Sequence, residues 1–206
     1  MKVKIQIIIF IITLSSLSNL SISQTSNEYI DSRIEAKKHI VRLHDSSILL
    51  VRLQTKEHSL RVYRNAGRNK FADKEELKQK SLNQLIINAF RKNFNFCDVH
   101  FFYADKSSFI KKGEYSEVIF LNNSLQGDSS INVDFINNYY YIASFQTVKS
   151  ETMIQGLVIM NSEFKQLRKP FPYYAKNPFF ASKSKFAFTT VKRLNRNLHH
   201  FYQSQK

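Results

Sequence analysis

Two apolar runs bracket a long helical pattern, and that arrangement limits the fold more than any other feature of the chain. Ile48-Leu49-Leu50-Val51, continued by Arg52 and Leu53, lacks polar alternation and reads as a strand buried on both faces. Cys97-Asp98-Val99-His100-Phe101-Phe102-Tyr103 is rich in aromatic and β-branched residues and reads as a second strand. Between them the spacing predicts a helix over 56–66, capped by Thr55 and stopped by Gly67, and another over 73–94. The second presents Leu82, Leu85, Ile86, Ala89 and Phe90 at three- and four-residue spacing, a stripe that must face a sheet. Strand, helix and strand in that order bring the two strands together in parallel.

The rest of the chain extends this unit. Residues 24–45 are polar and mixed, with a short helix expected around 29–39. A helix over 106–112, ended by Gly113, leads to a strand over 118–121. Residues 131–136 and 139–145 flank Asn137-Asn138, a pair that tolerates the positive φ of a hairpin turn. A second hairpin is expected from 157–160 and 164–167. The chain closes with a helix that places Val191, Leu194, Leu198 and Phe201 on one stripe and Lys192, Arg193, Arg196 and His199 away from it. The expected fold class is α/β: a mixed sheet starting with a βαβ unit, followed by antiparallel hairpins and a C-terminal helix, in a single domain over 24–206. This element order resembles that of thioredoxin-like folds. Gln54-Thr55-Lys56-Glu57-His58 stands where such folds carry C-x-x-C, so the resemblance implies a scaffold and no redox chemistry.

Composition closes off several functions. With 43% apolar and 14% aromatic residues in 206, the chain can build the core of one domain and is not a disordered segment. The four glycines, Gly67, Gly113, Gly127 and Gly156, are too far apart to write either phosphate-cradling glycine loop. A single cysteine, Cys97, excludes an intrachain disulfide, a C-x-x-C pair and a cysteine zinc cluster. No cofactor site is read from the sequence.

Residues 1–23 have the order of a secretory signal. Lys2 and Lys4 precede an apolar run from Ile5 to Leu14, and a serine-rich stretch ends at Ser21-Ile22-Ser23, which places cleavage before Gln24. The alternative is a retained anchor, although the run falls short of the ~20 apolar residues that span a bilayer. Phe94-Asn95-Phe96-Cys97-Asp98-Val99-His100-Phe101-Phe102-Tyr103, with Lys169-Pro170-Phe171-Pro172-Tyr173-Tyr174, resembles an uncharacterised family of exported bacterial proteins. The resemblance implies a periplasmic or secreted location and no particular chemistry.

Charge supplies the leading functional expectation. The formal net charge is +15, and residues 1–23 contribute two lysines and no acid to it. Residues 164–206 hold ten Lys or Arg and no Asp or Glu. A segment of one sign attracts anions, most strongly at low ionic strength. The proline-rich stretch inside it interleaves rings with lysines, a pattern that suits stacking and ion pairing. Lys169, Tyr173, Tyr174, Lys176, Lys192, Arg193 and Arg196 are therefore the expected anion-binding residues. The expected partner is an acidic envelope polymer, lipid headgroups or an acidic protein; export from the cytoplasm argues against nucleic acid. The competing expectations are a solvated basic face with acids folded onto it, and aromatic rings that only pin a loop to the core.

An enzyme is the alternative. Asp98 and His100 share a face of the second strand and Asp105 lies just past its end, the beginnings of a general-base site in a small hydrolase or transferase. Cys97 points to the other face and reads as an inert core thiol. His199 and His200 are adjacent on a helix, about 100° apart, and cannot grip a metal as an i, i+4 pair does. Neither a catalytic residue nor a metal ligand is assigned on these grounds.

Overall fold

The computed structural model describes residues 28–128, 131, 139–149, 154–178 and 182–206. The signal expected over 1–23, the strand expected over 132–136, the Asn137-Asn138 turn and the rings of Phe179 and Phe180 lie outside those residues. Within them the chain forms an α/β fold around one mixed sheet. Its strands are β1 (Ser47–Leu53), β2 (Asp98–Tyr103), β3 (Phe120–Leu121), β4 (Tyr139–Lys149), β5 (Ile154–Met160) and β6 (Tyr174–Lys176). Helix α1 occupies 28–45, followed by α2 (Glu57–Asn65), α3 (Asn69–Asn93), α4 (Ser107–Lys112) and α5 (Lys183–Gln203).

The spatial order of the sheet is β3-β2-β1-β4-β5-β6. Strand β1 pairs in parallel with β2 on one side and with β4 on the other, so the expected βαβ unit forms. The outer pairings, β2 with β3, β4 with β5 and β5 with β6, are antiparallel. Leu49, Leu50, Val51 and Leu53 are all buried, which follows from β1 having neighbours on both edges and cover on both faces.

Side-chain alternation divides the helices between the faces. Phe101 of β2 meets Phe90 of α3 edge-on, Tyr141 of β4 shares a 2.8 Å hydrogen bond with His39 Nδ1 of α1, and Phe145 packs edge-on against Phe186 of α5. These odd-numbered residues share one face, so α1, α3 and α5 cover it together. On the other face, Arg52 Nε donates to Ser107 Oγ of α4 at 2.8 Å, and Tyr140 donates its hydroxyl hydrogen to the Ile110 carbonyl.

Several elements differ from the sequence-based expectation for local physical reasons. The N-terminal helix runs well past residue 39, because Ala36, Ile40 and Leu43 bury against the sheet and hold it. Thr55 caps nothing. Lys56 occupies the cap position of α2 in the left-handed conformation, with φ of 58°. Helix α3 starts at Asn69, and its buried side is rotated so that Gln79 and Asn83 occupy core positions while Leu82 and Leu85 are only half-buried. The two buried amides satisfy each other: Gln79 donates to Asn83, which donates to the Gln54 carbonyl. Residues 164–167 do not form a hairpin strand beside β5; they contribute a single bridge, Met160 to Gln166. The neighbour of β5 on that side is β6, which lies within the proline-rich stretch expected to be an extended connection. An edge position is where a strand flanked by prolines is tolerated.

Strand β6 approaches β5 closely at Gly156. A β-carbon there would lie 2.5 Å from the Ala175 carbonyl oxygen and 3.1 Å from a Val148 methyl. The Gly156→Ala variant is therefore expected to lose about 1–3 kcal/mol of stability in urea denaturation and to speed amide exchange in β6 selectively. Wild-type exchange in Tyr174–Lys176 would refute the close-approach argument.

Candidate anion-binding groove

The proline-rich stretch and α5 form the two walls of a groove of about 400 Å³. Lys169, Pro170, Pro172, Tyr173, Tyr174 and Lys176 line one wall, and Arg193 and Asn197 line the other. Each wall has a distinct origin in the sequence. Pro170 and Pro172 stiffen the approach to β6, where pairing of Val158 with Tyr174 and of Gly156 with Lys176 fixes the residues of the strand. Helix α5 buries Ala187, Val191, Leu194 and Leu198, which turns Arg193 and Asn197 toward the edge of the sheet.

Five of the seven expected residues, Lys169, Tyr173, Tyr174, Lys176 and Arg193, thus come together in one concavity. Lys192 and Arg196 are exposed on α5 outside it. Lys192, Arg193 and Arg196 span an arc of about 100° on the helix, so they continue one cationic surface out of the groove. Among the described residues none of Lys169, Lys176, Lys192, Arg193 and Arg196 lies within 4.0 Å of a carboxylate. Among the described residues of 164–206, only Lys165 makes an ion pair, with Glu163 at 2.6 Å.

The polar groups of the groove are partly pre-arranged. Arg193 donates one N–H to the Lys176 carbonyl at 3.1 Å, which ties the guanidinium to β6 and leaves its remaining donors for a ligand. The Asn197 amide makes no hydrogen bond within the described residues. Tyr174 is half-buried and can offer ring surface. Tyr173 is only 8% exposed and behaves largely as a core residue, its hydroxyl pKa raised by burial and then by Tyr174. Phe171 is fully buried against α1 and α5, with its ring edge-on to His39 and Phe201. The expected pinning role therefore belongs to Phe171 and most of Tyr173, while the lysines and Tyr174 remain accessible.

The alternative site does not converge. Asp98 begins β2 and Asp105 follows its end, so the strand separates them by more than about 16 Å. A cavity of about 300 Å³ beside Asp98 is lined by His44, Asp45, Ser46, Ser47, Cys97 and Tyr139, and neither His100 nor Asp105 belongs to it. His100 sits edge-on to Phe120; burial, then the Arg91 guanidinium, lower its pKa against the opposing pull of Asp98 and Asp128. Cys97 is half-buried against the core, and burial, then the Asp98 charge, push its thiol far up, which disfavours the reactive thiolate. No group of three or more His, Cys, Asp or Glu among the described residues is arranged to hold a metal.

A histidine clasp at the end of α5 has no counterpart in the sequence reading. His44 of α1 stacks on Tyr202 with centroids 4.0 Å apart and donates from Nδ1 to Asp45, which also accepts from the Tyr202 hydroxyl. Phe96 contacts both His44 and His199 edge-on, and His199 Nε2 bonds Asn95 Oδ1 at 3.0 Å. The pairing joins residues far apart in the chain, so no local spacing announces it. The chain matches no protein-family model, no curated protein and no solved structure.

Burial, then His44, lower the His199 pKa, and burial is the largest cause of the lowered values at His39 and His100. The unfolded chain therefore binds protons at these sites more readily than the fold does, so stability falls as pH drops through about 6.5. The urea midpoint is expected to be lower at pH 5.5 than at pH 7.5, and the drop to be smaller in His199→Gln. An equal drop in that variant would remove His199 from the account.

Proposed function

We propose that this chain is an exported, non-enzymatic binding protein that holds an anionic partner in the groove between β6 and α5. The observation that carries the reading is the set of Lys169, Lys176 and Arg193 around one concavity, with no carboxylate among the described residues within 4.0 Å of any of them. Cations placed together without counter-charges raise the local potential and attract anions. Tyr174 and the two prolines supply the apolar surface, and Lys192 and Arg196 extend the field beyond the mouth.

Export rests on residues 1–23, whose charged, apolar and small-residue order is that of a cleaved signal. No helix among the described residues is long and apolar enough to cross a membrane. A site built from Asp98, His100 and Asp105 has less support, because β2 holds its two carboxylates apart.

The mature chain is expected to be retained on an anionic matrix at low ionic strength and released steeply as salt rises. Replacing Lys169, Lys176, Lys192, Arg193 and Arg196 with Gln is expected to reduce retention at least tenfold while the far-ultraviolet circular dichroism stays unchanged. Retention that survives those five changes would place the binding surface elsewhere.

A further inference from the structure

The groove continues into a cationic track along α5, and we propose that together they bind a linear acidic polysaccharide, with one sugar ring in the groove and the chain following the helix toward its N-terminus. The inference rests on the groove being the anion site and adds the class of ligand and the direction in which it lies. Lys185, Lys192 and Arg196 are exposed and lie within about 40° of one another around the helix axis, so they form a stripe. From Lys185 to Arg196 the stripe runs about 16 Å, and it meets the groove where Arg193 and Asn197 face β6.

The start of α5 makes the track more than a solvated face. Ser182 caps the helix, and the first turn contains no acid. Cations there oppose the helix macrodipole, so Lys185 occupies a position that helix stability disfavours. A bound anion reverses that sign: the lysine and the helix terminus both attract it. The helix also offers no carboxylate of its own to pair with Lys185, Lys192 or Arg196, since residues 164–206 contain none.

Three features favour a polymer of acidic sugars over other polyanions. Tyr174 presents ring surface suited to the C–H face of a sugar. The Asn197 amide, without a partner among the described residues, can donate to and accept from hydroxyl groups, which a phosphate chain does not carry. The Arg193 guanidinium, held by the Lys176 carbonyl, matches a carboxylate with a planar fork. A membrane surface fits less well, because Lys169, Lys176 and Arg193 line a groove between two walls instead of a flat face.

Isothermal titration with galacturonate oligomers of increasing length tests the proposal, with inorganic polyphosphate and phosphatidylglycerol vesicles as comparisons. Affinity is expected to rise roughly tenfold with oligomer length and to level off once the oligomer reaches Lys185. The Lys185→Gln variant is expected to remove the last gain in affinity with length and leave the affinity for the shortest bound oligomer unchanged. Tyr174→Ala is expected to weaken all lengths by a similar factor. Binding that requires Lys169, Lys176 and Arg193 but shows no dependence on length would overturn the track and leave the groove standing. Polyphosphate binding equal to that of the oligouronates and indifferent to Tyr174→Ala would overturn the sugar assignment, as would binding confined to vesicles. Failure of every anion to bind would overturn the groove itself.

Discussion

Parallel pairing of β1 on both of its edges is the constraint from which the rest of the molecule follows. A strand with a neighbour on each side and cover on each face buries most of its side chains, so those side chains must suit the core. Leu49, Leu50, Val51 and Leu53 meet that demand, and Arg52 does so by directing its guanidinium to Ser107. With β1 central, β2 and β4 can only flank it, and the antiparallel strands are carried outward to the edges. Helices α1, α3 and α5 then share one face, where Phe101, Tyr141 and Phe145 lie.

The groove is a consequence of that outward displacement. Strand β6 is three residues long, flanked by prolines, and held by one neighbour, β5. Such an edge normally presents unpaired backbone groups to other chains. Here α5 lies along it, and Arg193 ties the two together through the Lys176 carbonyl. The contact that covers the edge is also the one that holds a guanidinium at the groove. Gly156 permits it, because any side chain there would push β6 away from β5. Packing and the placement of the cations therefore depend on the same few atoms, and a change in β5 that loosens β6 disturbs the charge arrangement as well.

Legibility in the sequence varied with how local the cause was. The βαβ unit, α4 with its Gly113 stop, and α5 were readable because periodicity and stop residues act within a few positions. The rotation of α3 was not, since the core positions of Gln79 and Asn83 depend on a carbonyl at Gln54 that only the folded chain places beside them. The pairing of β6 with β5 escaped for a similar reason: three prolines in a stretch argue against a strand unless the strand is at an edge, and the edge is a property of the sheet. Of the candidate site, the residue types were readable and their roles were not. Tyr173 and Tyr174 are adjacent and chemically alike, yet one is almost fully buried and the other half-open.

The sequence by itself determined the α/β class, the buried character of β1, the absence of disulfide and glycine-loop chemistry, and the concentration of cations after residue 164, because each follows from residue identity and short-range spacing. Tertiary structure decided which of those cations share a surface, that Asp98 and Asp105 lie at opposite ends of a strand, and that His44 and His199 meet around Phe96. Those outcomes depend on how distant segments pack, and packing is set by the summed burial of many side chains rather than by any short stretch of the chain.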